Sequence, residues 1–203
     1  MSEHDHDDLH EPDDGAARAR TTWLGARHAL GGALTALEFG EQASAVAVGA
    51  GAEPERVIRL ALGPGELARR HLRGPRPGEA AIEAAIAEVE ERIMPLRPAL
   101  PVGSQCVSRD PRVARIADVL GSPVGPWAGL DTHLVEQGFN RWVSIALGRP
   151  ASQDTLPTTP EFGASLLVLR EWLHHMGFAG IRIDREAPGN GSSANPRTLL
   201  RGQ

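Results

Sequence analysis

Glu171-Trp-Leu-His174-His175 is the segment whose residue types and spacing come nearest to catalytic chemistry. A glutamate and a histidine three apart share one face of a helix, and Glu-x-x-His is half of the carboxylate-bridged di-iron signature. The other half does not occur, and neither does H-E-x-x-H. Neighbouring helical residues point about 100° apart, so His174 and His175 are poorly placed to chelate one ion together. Upstream, Glu136 and Asn140 lie four apart on a second helical stretch, followed by Arg141. If the two helices face one another, Glu136, Glu171 and His174 supply acid and base, with Asn140 and Arg141 beside them to hold a ligand.

Three further groups are candidates. His4, His6 and His10 alternate with aspartates at the N-terminus. Imidazole and carboxylate suit nickel, zinc or copper, so this segment is a candidate site for a divalent transition metal. Arg69, Arg70 and Arg73 form the densest basic stretch, with His71 and Arg76. Guanidinium forks match phosphate and carboxylate geometry, which points to a small anionic ligand. Nucleic acid is disfavoured, because aromatics make up only 4% of the chain and none interleaves with these arginines. The lone Cys106 falls in a strand-like stretch ahead of Asp110 and reads as a buried structural thiol.

Composition removes whole classes of reaction. All 21 basic residues are arginine, and tyrosine is absent. Without lysine there is no Schiff-base chemistry and no P-loop of the G-x-x-x-x-G-K-[ST] type. One cysteine allows neither an internal disulfide nor a cysteine-only zinc site. The abundance of alanine, glycine, arginine and proline fits a GC-rich bacterial genome. Seven of the 26 acids lie in residues 1–14, which contain no base, so the rest of the chain carries 19 acids against 21 arginines, a formal +2. No apolar run approaches the roughly 18 residues of a membrane helix. The acidic N-terminus has no signal-peptide core, so a cytoplasmic location is expected.

These side chains need elements to hold them. Residues 1–20 read as a disordered acidic, histidine-bearing tail, with order beginning near Trp23; residues 21–186 read as one domain and 187–203 as a disordered polar tail. Ala33–Phe39, Ser44–Val48 and Arg56–Leu62 are apolar stretches separated by turn residues, which predicts three antiparallel strands. A short helix is expected over Gly65–Leu72. Ile82, Ile86, Val89 and Ile93 then mark one face of a longer helix. Val102–Ser108 reads as a fourth strand. Asp110-Pro111 starts a helix that Gly121 ends, Ser122–Gly129 reads as a loop, and Asp131 caps the next helix. Thr158-x-x-Glu161 is a capping box for the last helix, which Gly177 closes, and Ile181–Asp184 is a final short strand.

Strands first and helices later predict an α+β fold: an antiparallel meander, then helices with one or two further strands in the same sheet. The alternative is a ribonuclease H-like α/β topology, which the order of elements resembles. The sugar-kinase and actin-like ATPases of that class place an acidic residue and a hydroxyl-bearing turn between the first two strands to hold phosphate. The matching segment here is Glu38-Phe-Gly40-Glu-Gln-Ala-Ser44, with glutamate for aspartate and no hydroxyl after the glycine, a departure that argues against nucleotide hydrolysis.

Two function classes follow. The first is a non-enzymatic accessory or interaction module, acting in assembly or metal handling with a protein partner or a second copy of itself. It rests on two helices that are apolar nearly all round, Trp142–Leu147 and Leu166–Leu169, which must be covered on several sides. The second is a small metal-dependent hydrolase or ligand-binding enzyme with its site between those helices. The sequence alone leaves open whether the chain is an enzyme.

Overall fold

The computed structural model describes residues 14–74 and 76–185. Helix α1 (Asp14–Leu30) precedes strands β1 (Leu34–Glu38), β2 (Ser44–Gly49) and β3 (Arg56–Leu60). Helices α2 (Pro64–Arg70) and α3 (Glu79–Ile93) then lead to β4 (Gln105–Ser108) and α4 (Pro111–Val119). Strand β5 (Ala128–Asp131), helices α5 (Thr132–Ala146) and α6 (Pro160–Met176) and strand β6 (Gly180–Ile183) follow. No helix among the described residues is long and apolar enough to cross a membrane.

The strands form one sheet in the order β3-β2-β1-β4-β6-β5. The first three make the antiparallel meander that the sequence predicts, with Ala36 opposite Ala47 and Val46 opposite Ile58. Strand β4 then returns to the far side of β1 and runs parallel to it, and β6 runs parallel to β4. A parallel return needs a long crossover, which α2 and α3 supply for β4 and the last two helices supply for β6. A meander extended by parallel strands is the ribonuclease H-like arrangement, so both halves of the fold expectation meet in one sheet.

Both faces of the central strands are covered, which is why every residue of β1 and β2 is buried. Alternation sends Leu34, Ala36, Ala45 and Ala47 toward α1, where they join Ala19, Trp23 and Ala26. Leu37, Val46 and Val48 point the other way, into a larger core built with α2 to α6. Helix α6 lies at the centre of that layer: Leu166, Leu167, Val168 and Leu169 are all buried within their own chain. Helix α6 is thus covered within the chain, and of the other apolar stretch Trp142, Ile145 and Ala146 are buried while Leu147 is 51% exposed.

Four local expectations change. Residues 14–20, read as tail, are helical. Ala128–Asp131, read mostly as loop, is an edge strand paired antiparallel to β6. Strand β4 starts at Gln105, because the preceding turn puts Gly103 at φ 70 and leaves Val102 fully exposed. The cap of α6 is Thr159, whose hydroxyl accepts from Phe162 N–H at 3.4 Å, and not Thr158. Proline at the first helical position makes the residue before it the cap. Asp110 and Asp131 cap α4 and α5 as predicted, accepting from Arg112 N–H and His133 N–H at 2.7 Å each.

Candidate functional site

The residues predicted to form one site between α5 and α6 are divided between different tasks. Arg170 donates to Glu136 at 2.9 Å and to Glu171 at 2.5 Å, joining the two carboxylates through a cation. His174 is exposed, and it is His175 that turns toward Glu171. Asn140 is exposed, and its carbonyl accepts from the Ser144 hydroxyl. Arg141 grips Asp154 at 2.5 Å and, with Arg149, holds that carboxyl well below the usual carboxylate range. That pairing fixes the loop ahead of α6.

The basic stretch is engaged with acids of its own fold. Arg69 pairs with Glu66 and lies 3.6 Å from Glu41, Arg70 reaches Glu88 at 2.7 Å, and Arg73 donates to the Arg69 carbonyl. His4, His6 and His10 lie outside the described residues. Cys106 is buried, and that burial pushes its thiol up to about 12, with the neighbouring Trp172 side chain and Val107 backbone offsetting part of the rise. It is no nucleophile at neutral pH.

Geometry gathers a different set of residues, at the carboxyl ends of the parallel strands β1 and β4. Glu38, the last residue of β1, is 2% exposed. It accepts from the Thr22 hydroxyl at 2.7 Å and from Arg109 N–H at 2.8 Å. Burial pushes its carboxyl up to about 6, the two hydrogen bonds opposing that rise and nearby Asp110 adding to it. Beside it, Asp110 accepts from Phe39 N–H and Arg112 N–H, stitching the end of β1 to the start of α4. Burial raises its pKa as well, against the pull of those two amides and of the Arg112 charge. Arg109 is held by Asp184, at 2.6 Å, and lies over the Trp127 ring.

Two cavities flank these strand ends. On the α1 face, one of about 330 Å³ is lined by Arg18, Thr21, Thr22, Glu38 and Arg109. On the opposite face, a crevice of about 270 Å³ is lined by Glu41, Gly65, Arg112, Arg115, Thr159 and Ser165. Its walls are the first turns of α4 and α6 with two arginines between them. Asp110 and Thr159 already cap these two helix starts, so the attraction for an anion comes chiefly from the guanidinium groups of Arg112 and Arg115. Two carboxylate residues also line the crevice, Glu41 and Glu161; Glu41 pairs with Arg112 at 3.2 Å and packs against Gly65, where a β-carbon would lie 1.9 Å from the Glu41 Oε1. The Glu41 carbonyl accepts from Glu66 N–H at 3.0 Å, which staples the β1–β2 turn to α2.

Away from the strand ends, Glu90 on α3 and Glu171 and His175 on α6 each bring a ligand atom within 4.8 Å of the others. The histidine of this group is His175, four residues beyond Glu171, and not His174, three beyond it.

The chain matches solved structures over most of its length. It resembles the Ppx/GppA phosphatase of Aquifex aeolicus with a TM-score of 0.68 and 14% identity, covering 83% of this chain and 59% of that one. An exopolyphosphatase-like protein matches with 0.67, 16% identity and coverages of 84% and 61%. An exopolyphosphatase from Cytophaga hutchinsonii gives 0.60 and 14%, with coverages of 84% and 59%. This chain has the fold of the Ppx/GppA phosphatase structures. It spans about three fifths of their length. No protein-family model and no curated protein matches it in sequence. The expectation of a non-enzymatic accessory module is therefore corrected. The fold is one described in phosphatases, and Leu166–Leu169, invoked for a partner, are buried in the chain's own core.

Proposed function

We propose that this chain binds a phosphorylated small anion with one end in the Arg112–Arg115 crevice and hydrolyses it, the reacting phosphoryl group extending past the ends of β1 and β4 to Glu38, which serves as the general base from the α1 face. The observation that carries the reading is the convergence of the α4 and α6 starts with two arginines outside the carboxyl ends of β1 and β4. Open sheets with parallel strands bind ligands at that edge, where the chain reverses direction across the sheet. The chain that carries this crevice has the fold of phosphatase structures. Hydrolysis needs a group that takes a proton from water at neutral pH. A buried carboxylate with a pKa near 6 is suited to it, because it is largely ionised there yet more basic than an exposed glutamate. Inorganic polyphosphates are the favoured substrate class, since the crevice offers the cations of Arg112 and Arg115 and the hydroxyls of Thr159 and Ser165. A divalent transition metal, in this reading, belongs to the carboxylate and imidazole cluster of α3 and α6 and not to the crevice.

Calorimetric titration with tripolyphosphate, alongside phosphate release, tests the proposal. Wild type should show saturable binding that weakens about tenfold in Arg112→Ala, the loss of one charge-assisted contact. Glu38→Gln should keep that affinity and lose about 100-fold or more in turnover. Absence of saturable binding for phosphate, pyrophosphate and tripolyphosphate would overturn it.

A further inference from the structure

The cluster where α3 meets the end of α6 has a feature that ion pairing leaves unexplained. Glu171 is fully buried. Its Oε1 is served by Arg170 at 2.5 Å, whereas its Oε2, also buried, accepts no hydrogen bond. His175 Nε2 stands 3.2 Å from that oxygen, but its hydrogen-bonding direction is spent on Glu90 Oε1 at 3.0 Å. One ring nitrogen offers one hydrogen or one lone pair, so it serves one of two converging carboxylates and leaves the other orphaned.

We infer that Glu90, Glu171 and His175 form a binding site for a zinc-class divalent transition metal. A cation at the centre of the three atoms resolves the conflict: neutral His175 gives its lone pair, Glu171 gives the orphaned Oε2, and Glu90 gives Oε1. Arg170 keeps Glu171 Oε1 and orients the carboxylate from outside, as partners of metal ligands do. The spacing suits the ion. Metal–ligand bonds of about 2.0–2.1 Å in a tetrahedron place neighbouring ligand atoms about 3.3 Å apart, close to the 3.0 and 3.2 Å between the His175 nitrogen and the two oxygens. Imidazole with two carboxylates favours zinc, manganese, iron or cobalt over calcium and magnesium, which prefer all-oxygen sites. The Glu90 side chain is 42% exposed, so ions enter from that side and water can fill a fourth position.

Glu171 lies twelve residues beyond Thr159, roughly 18 Å along α6 at 1.5 Å per residue, so this site sits far from the phosphate crevice and does not depend on that reading. Its effect is to clamp α3 to α6. His4, His6 and His10 are themselves candidate metal ligands, so the test uses the full chain with these three replaced by alanine. Titration with cobalt, followed by its visible absorption and by zinc competition, should give one equivalent bound with imidazole–carboxylate spectral character. Glu90→Gln and His175→Gln should each weaken binding by about 100-fold or more, beyond the cost of losing an outer partner, and abolish the rise in Tm that zinc gives. Glu90, at the exposed rim, can lose its charge without disturbing the core, which keeps the test decisive if Glu171→Gln fails to fold. No cobalt bound by the tail-substituted chain, or equal affinity in the Glu90→Gln and His175→Gln variants, would overturn the assignment.

Discussion

Glu38 ties stability to function at a single carboxyl. Its native pKa of about 6 stands above the ordinary 4.5, so the folded chain keeps a proton that the unfolded chain has already released. Between those two values stability falls as pH rises, by roughly 2 kcal/mol for a shift of this size. Burial is the main cause, and the hydrogen bonds from Arg109 N–H and Thr22 offset part of it. A neutral Glu38→Gln can still accept both hydrogen bonds without carrying a buried charge. Urea denaturation should therefore show the variant gaining roughly 2 kcal/mol relative to wild type between about pH 4 and about pH 7.5. A constant difference across that range would mean that the group titrates normally. The sequence exposed only half of this. Glu38 stands at the end of a predicted strand, where related topologies carry an acid, but the burial that makes it basic comes from α1, whose first seven residues read as tail and whose remainder was not predicted as a helix. The α1 signal was nonetheless present: Ala19, Thr22, Trp23 and Ala26 follow i, i+3, i+4, i+7, a helical face hidden by its small residues.

Elements whose signals are local were legible, and those made by distant pairing were not. The caps of α4 and α5 follow from Asp110-Pro111 and Asp131 alone. Strand β5 does not, because Ala-Gly-Leu-Asp has little strand preference and is extended only by its pairing with β6. The crevice was illegible for the same reason. Arg112, Thr159 and Ser165 are unremarkable polar residues until two helix starts come side by side. That meeting depends on Gly163, in the first turn of α6, where a β-carbon would lie 2.1 Å from Trp142 Cζ2. The α5 indole closes directly over the α6 backbone. Gly163→Ala must push the helices apart, at a cost of about 2–3 kcal/mol for overpacking a core, and should weaken tripolyphosphate binding as Thr159 and Ser165 move. Gly129→Ala is the control, since its β-carbon meets nothing within 4 Å and the cost should stay below about 0.5 kcal/mol. Equal stability of the two variants in urea would remove the close α5–α6 approach from the account of the crevice.

For the whole molecule, the unequal layers decide what α1 is. Among the described residues, α2 to α6 cover one face of the sheet, and α1, with Trp127, covers the other. The alanines on that face, 36, 45 and 47, let α1 come close enough for Trp23 to be fully buried and donate to the Leu34 carbonyl at 3.2 Å. Gly25 leaves room for the Arg109 guanidinium that Asp184 holds, which couples α1 to the end of β6. If α1 is part of one cooperative unit, losing its anchor costs the whole fold. Trp23→Ala should then lower global stability by about 3–5 kcal/mol, as for a buried tryptophan elsewhere, in a single urea transition. Amides of β1 and β2 should lose protection against hydrogen exchange along with those of α1. The pKa of Glu38 should fall toward 4.5 as water reaches the α1 cavity, taking with it the pH dependence of turnover. A variant with the wild-type urea midpoint and faster exchange confined to α1 would instead make the helix a detachable cover, and the basic Glu38 a property of the closed form alone.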